Sequence, residues 1–344
     1  MGRAWLRTIS EDPNVELVGL VDLNLDTART ALVEEGIRGD IALGTSVAAA
    51  AAEARADAVV NVTIPEAHLP VNREALAAGL PVLCEKPAAP SVRDALRQAA
   101  ASAASGQLLM ISQSRRYFAA LDAVRSELPS IGEISSVVTQ FFREAHFPGF
   151  REEMAHPLLI DMAIHQFDVA RDVIGAEPLS VVCEEHNPSW SWFDGAADAH
   201  AVFEFAGGAR FVFTGSWVSV GEQTAWNGDW RINGAGGTIR WDGADRVTVI
   251  RGGAHDETER IDPPTGVPEQ IAGSLREFVA CLRSGEEPGG VALENTGSLA
   301  MVEAAVRSAE TGARIDIAEV RRAALAEAIA VEEDPATRAV LEGF

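Results

Sequence analysis

Leu80-Pro-Val-Leu-Cys-Glu-Lys-Pro87 is a short apolar run that ends on a charged pair and is stopped by proline. It reads as a strand, and what lies on either side of it sets the fold. Upstream, Ala58-Val-Val-Asn-Val-Thr-Ile64 is another β-branched run, followed by a helical stretch over 69–78 that Gly79 terminates. Further upstream, Val15–Val21 reads as a strand and 26–35 as a helix ending at Gly36. Downstream, Ser91 and Asp94 have the spacing of a capping box at the start of a helix, and 107–112 closes the set. Short strands alternating with Ala-rich helices are the pattern of a parallel sheet with crossover helices.

From about Ile134 the pattern changes. Strand-like runs recur at 134–142, 179–185, 199–205, 209–217, 229–233, 237–241 and 246–250, separated by glycine-bearing turns such as Gly207-Gly208 and Gly236-Gly237. That spacing predicts an antiparallel meander. One long helix, 156–174, is set into this half; helices return at 268–284 and 294–311, and a charged helical tail fills 318–342. The expected class is α/β: a parallel-sheet domain over 1–116, an α/β domain with an open, mostly antiparallel sheet over 117–317, and a helical tail over 318–344.

Composition narrows the function classes. The chain has 344 residues, a net charge of −23 and 47% hydrophobic residues. Nucleic acid and anionic membrane both call for basic patches, so neither is expected as a partner. No apolar run approaches the roughly 20 residues that span a bilayer, and no signal-peptide block opens the chain. The three cysteines are far apart and lack a CxxC, which indicates neither a disulfide framework nor a zinc site and fits a reduced cytoplasm. The histidines show no metal-ligand spacing.

Of the 28 lysines and arginines, Lys86 is the single lysine. A guanidinium is a fixed fork, whereas an ammonium is a compact point donor, so one lysine at a strand end points to chemistry that arginine cannot perform; chance, since some position has to be the last one left, is the competing reading. Asp22 follows the first strand, where an acidic residue in a dinucleotide-binding βαβ unit accepts from the adenosine ribose; Asn24 is close behind. The glycine fingerprint should lie about 20 residues earlier, which falls on Gly2. Thr63, Pro65 and His68 end the second strand and Glu85 and Lys86 the third, and ligands of open α/β sheets bind outside such carboxyl ends. For His68, a place in the helix start is as good a reading as cofactor contact. Asp161 and His165 are four apart on the long helix, so a carboxylate can orient an imidazole general base. A solvated face is the competing reading, because Asp168 and Asp172 continue the stripe. Arg115, Arg116 and Tyr117 follow the last strand of the first half; Arg116 and Tyr117 are candidate substrate contacts. His156, Trp190 and Trp192 are weaker ones.

These pieces together resemble the Gfo/Idh/MocA oxidoreductase family. The matching motifs are Thr-x-Pro-x-x-His at 63–68, Cys-Glu-Lys-Pro at 84–87, Arg-Arg-Tyr at 115–117, Asp-x-x-x-His at 161–165 and Ser308-Ala-Glu-Thr-Gly312, in order over about residues 1–317. The resemblance implies a Rossmann domain joined to an α/β domain whose open sheet forms a homodimer or homotetramer interface. Carried over, Lys86 would hydrogen-bond the reacting hydroxyl, His165 would take its proton beside Asp161, and Asp22 would favour NAD over NADP. The implied reaction is hydride transfer from a sugar, inositol or related polyol to NAD. Two other readings stand beside it: glycoside cleavage by transient oxidation, and a catalytically silent sugar or dinucleotide sensor.

Three departures from the family pattern bear on this. Only Gly2 of the fingerprint is present, and the strand expected between those at 15–21 and 58–64 has no counterpart. A natural product that begins upstream of Met1 is therefore expected. Met154-Ala-His-Pro157 replaces the Gly-Gly pair that commonly precedes the Asp-x-x-x-His helix, and Ser114 stands where many relatives have asparagine.

Overall fold

In the computed structural model, which describes residues 1–253 and 255–344, the chain forms two compact units. The first comprises Met1–Ser114, Pro268–Thr296 and Ala324–Phe344; the second comprises Arg115–Val267 and Gly297–Ala323.

The elements of the opening segment run α1 (Gly2–Glu11), β1 (Gly19–Val21), α2 (Leu25–Glu34), β2 (Ala42–Gly44), α3 (Val47–Ala54), β3 (Val59–Asn61), α4 (Pro65–Ala77), β4 (Val82–Glu85), α5 (Val92–Ser105) and β5 (Leu109–Ser112). All ladders here are parallel, but they form two sheets: β1 pairs with β2, and β3-β4-β5 form a second. Every residue of β4 and β5 is buried. Helix starts follow local chemistry. Asn24 caps α2, Ser46 caps α3 and Ser91 caps α5, each accepting from N–H groups that have no partner in the first turn. The expected Ser91–Asp94 pair forms, with Asp94 N donating to Ser91 Oγ at 3.2 Å.

The second unit begins with α6 (Ala119–Ile131) and β6 (Ile134–Phe142), then a π-helical turn (Leu158–Ala163) that runs into α7 (Ile164–Ile174). Strands β7 (Pro178–His186), β8 (Asp198–Phe205), β9 (Arg210–Ser216), β10 (Asp229–Gly234), β11 (Gly237–Trp241), β12 (Val247–Arg251) and β13 (Glu259–Ile261) follow. The remaining elements are α8 (Gln270–Ser284), α9 (Ala292–Thr311), β14 (Ile315–Asp316), α10 (Ile317–Val331) and α11 (Pro335–Leu341). The nine-stranded sheet has the order β13-β12-β11-β10-β6-β9-β8-β7-β14. It departs from a pure meander at two places: β6, first in the chain, inserts between β10 and β9 and runs parallel to β9, and β14, last in the chain, pairs with β7 at the edge.

Helix α7 lies on this sheet. Phe167 meets Phe203 at 4.7 Å and Phe213 at 5.4 Å between ring centroids, both edge-on, the arrangement ring quadrupoles favour. The opposite face alternates outward and leaves Leu179, Val182 and Val202 exposed. In the tail, the carboxylate of Glu332, wholly buried, is held by Arg73 of α4 and by Arg97 of α5. Among the described residues, no helix is long and apolar enough to cross a membrane.

Candidate active site

Lys86 stands immediately after the buried strand β4, half-buried itself. Its neighbour Glu85 is 7% exposed, and both of that carboxylate's oxygens are used inside the protein. Oε1 accepts from the indole of Trp5 at 2.7 Å, and Oε2 accepts from the Lys86 backbone N–H at 3.2 Å. Glu85 therefore anchors the Lys86 loop to α1 through its side chain. His68 is likewise used inside the protein. It is 1% exposed; Nδ1 lies 2.9 Å from the carbonyl of Pro87, and Nε2 lies 3.1 Å from that of Thr63. The ring ties the β3–α4 turn to the chain after Lys86. Together, Trp5, Glu85 and His68 hold the lysine's backbone from both sides, so its side chain starts from a fixed point.

The residues assigned to a dinucleotide separate into those with spare capacity and those without. Asp22 is exposed at the carboxyl end of β1; Oδ1 accepts from Asn24 N at 2.7 Å, while Oδ2 makes no hydrogen bond among the described residues. That free oxygen fits a ribose hydroxyl. Asn24 itself is the α2 cap, its oxygen accepting from Asp26 N and Thr27 N at 3.1 Å each, so its carbonyl is not available. Helix α1 opens at Gly2 with no side-chain cap, and a Cβ at Gly2 would meet only Val62 Cγ2 at 4.0 Å. Its first N–H groups are thus open to an anion such as a pyrophosphate. Thr63 spends its hydroxyl on Asn61 Oδ1 at 2.8 Å, and Pro65 is the first residue of α4.

On the second unit, His165 is 6% exposed and is the second residue of α7, just after the π turn that carries Asp161. A π turn widens the helix, a feature found often at functional sites. Asp161 accepts from Arg151 Nε at 2.9 Å, a partner the sequence did not disclose. His165 lines a narrow cleft with Arg115, Gln166, Asn227, Trp230 and Trp241. The rest of the stripe is not a solvated face. Asp168 is 1% exposed and takes both Nε and Nη2 of Arg116, while Asp172 takes Arg125.

Arg116 donates Nε and Nη2 to Asp168, whereas Arg115 reaches the His165 cleft and donates to Asn227 Oδ1 at 2.8 Å. Adjacent residues of a 3-10 turn point different ways, and the sequence does not tell which turns inward. Tyr117 is half-buried beside them. His156 lies elsewhere in its bonding: Nδ1 is 2.6 Å from Glu185 and Nε2 is 3.6 Å from Glu310, so it is held between carboxylates. Burial pushes the Glu185 carboxyl above its ordinary value, with the nearby ring pulling the other way. Trp190 lines a different cavity, of about 440 Å³, with Phe142 and Asp198. Trp192 stacks on His146 at 3.8 Å and donates to the Ala145 carbonyl.

Comparison with known proteins matches both halves. Residues 1–113 match the model described as oxidoreductase family, NAD-binding Rossmann fold, and residues 123–240 match the GFO/IDH/MocA C-terminal domain. The protein y4oX of Sinorhizobium fredii is 31% identical over 251 residues, covering 69% of this chain and 69% of its own length. An inositol 2-dehydrogenase of Streptomyces avermitilis is 30% identical over 267 residues, covering 74% of this chain and 75% of its own. Among solved structures, an oxidoreductase from Agrobacterium radiobacter in complex with NAD+, L-tartaric acid and magnesium superposes with a TM-score of 0.82 at 21% identity, over 92% of this chain and 96% of that one. An aldose-aldose oxidoreductase from Caulobacter crescentus, complexed with glycerol, gives 0.76 at 23% identity, over 90% and 94%. At these identities, the two structures speak for the fold.

Proposed function

The chain belongs to the Gfo/Idh/MocA family of NAD-binding oxidoreductases, and from that premise we propose a dehydrogenase that acts on a hydroxyl carbon of a sugar, inositol or related polyol. The observation that carries the proposal is the anchoring of the only lysine. Trp5, Glu85 and His68 are all spent on fixing the backbone around Lys86, an investment that serves a positioned side chain.

NAD, when bound, supplies the hydride acceptor. Asp22 Oδ2 accepts from an adenosine ribose hydroxyl, and its charge disfavours a 2′-phosphate there. Lys86 donates a charge-assisted hydrogen bond to the substrate oxygen and stabilises it as negative charge develops. His165 takes the proton that leaves that hydroxyl, with Asp161 and Arg151 fixing the turn from which α7 starts. The inositol 2-dehydrogenase relative supports the polyol class. We further place the protein in the cytoplasm, consistent with its three buried free cysteines. The exposed Leu179, Val182 and Val202 on the open sheet support association into homodimers or homotetramers.

NADH appearance with a panel of polyols and aldoses tests the function. Turnover by the wild type and its loss in Lys86→Arg are expected. Equal turnover by both would refute the assigned role of Lys86, and no turnover with any member would refute the reaction.

A further inference from the structure

Two arginines stand side by side in the turn Ser114–Arg116, and their surroundings differ in one respect. Arg116 is neutralised by Asp168 through two hydrogen bonds. Arg115 has no carboxylate partner among the described residues: its contacts are Asn227 Oδ1 at 2.8 Å and the Phe118 ring at 5.8 Å. Burial draws its pKa down to about 10, so the guanidinium stays charged at neutral pH while poorly solvated. A desolvated charge with no counter-ion is costly, and the cost is relieved when a ligand brings the anion.

The guanidinium is also aimed. Asn227 is 7% exposed; its amide nitrogen donates to the Gly243 carbonyl at 2.7 Å, and its own carbonyl accepts from the Trp230 indole at 2.8 Å. With Asn227 fixed on both sides, Arg115 Nη1 is fixed too. The other guanidinium nitrogens make no protein hydrogen bond and keep contact with solvent. A second group in the same cleft also lacks a partner: Gln166 is 1% exposed, and its amide oxygen is buried without a donor. Arg115 thus sets a planar cation beside His165, while the Gln166 amide oxygen stays closed off from solvent.

We propose that the substrate is a carboxylated polyol, an aldonate, aldarate or uronate, whose carboxylate is bound by Arg115. The proposal rests on the dehydrogenase reading and narrows its substrate class. A carboxylate carries one charge, which one guanidinium matches in a planar, two-point contact. A phosphate monoester carries roughly −1.5 to −2 and would call for a second cation, and Arg116 is already spent on Asp168.

The test compares kcat/KM with NAD for matched pairs, galactose against galacturonate and glucose against gluconate, in the wild type, Arg115→Met and Arg115→Lys. The wild type is expected to prefer the acids by at least tenfold, with the preference falling as salt rises. Arg115→Met should bring the ratio near one, and Arg115→Lys should keep part of it. A wild-type ratio of one or less, a ratio unchanged in Arg115→Met, or a preference for sugar phosphates would overturn the proposal while leaving the dehydrogenase reading intact. If no compound is oxidised, the dehydrogenase reading fails, and calorimetric titration of the same acids decides this one. Acid binding lost in Arg115→Met upholds an anion site, and no acid binding by the wild type overturns it.

Discussion

Arg116 and Asp168 are joined by two hydrogen bonds, Nε to Oδ2 at 2.6 Å and Nη2 to Oδ1 at 2.8 Å, with both side chains almost wholly withdrawn from water. Ser298 Oγ adds a third at 2.7 Å, and Arg171 donates in turn to that hydroxyl at 2.9 Å. This chain of contacts fixes α7, and with it His165, to the start of the second unit and to α9.

Asp168→Ala is therefore expected to destabilise the protein by about 3–5 kcal/mol, because it leaves a buried guanidinium without its anion. Urea unfolding followed by circular dichroism measures it. A change within about 0.5 kcal/mol, the ordinary range of a surface substitution, would return Asp168 to the solvated face.

Lys86→Arg keeps the charge and should still lose at least about two orders of magnitude in kcat, since a fork cannot occupy a point donor's position. Steady-state rates under saturating NAD decide it, with the melting temperature as a control for folding. Activity within a few-fold of wild type would show that the solitary lysine is incidental.

Asp22→Ala should weaken NAD binding and narrow its advantage over NADP. The carboxylate's free Oδ2 both accepts from the ribose and repels a 2′-phosphate. Titration calorimetry with each cofactor reads this directly. Equal affinities for the two in the wild type would contradict the assignment before any variant was made.

Stability should fall in acid through Glu332. Burial pushes its carboxyl up, but the Asp334 N–H and the guanidinium groups of Arg97 and Arg73 outweigh it, so the folded-state pKa lies below the ordinary 4.5. A carboxyl depressed on folding contributes stability that is present above its unfolded pKa and lost as pH falls through the folded one. Glu332→Gln should cost about 3 kcal/mol at pH 7 and show a shallower decline below 4.5 than the wild type. Identical pH profiles for the two proteins would exclude Glu332 as a source of the decline.

Where sequence and structure agree, the signal was local and strong. The runs 134–142 and 237–241 match β6 and β11 end to end, and Ser91 with Asp94 marks the start of α5. Five elements carried no expectation, among them the short edge strands β13 and β14. Strand β2 is three half-buried residues, the Ala-rich α3 lacks apolar contrast, and α6 has a proline in its last turn. The parallel β6–β9 pair joins segments some 70 residues apart in the chain, a distance that periodicity does not see. In the candidate site, Lys86 drew notice in the sequence because it is singular. The roles of Arg115 and Arg116 were not, since only the fold decides which of two neighbours meets Asp168.

The claim at the centre of the account is hydride transfer from a substrate carbon to NAD under the action of Lys86 and His165. The most direct measurement uses a polyol, aldose or sugar acid that is turned over, deuterated at its hydroxyl-bearing carbons, and follows the label by mass spectrometry of the recovered nicotinamide. The account predicts deuterium in the reduced cofactor with the wild type, and its loss in both Lys86→Arg and His165→Ala while these variants still bind NAD. Turnover that leaves the reduced nicotinamide unlabelled, or labelling undiminished in both variants, would contradict it.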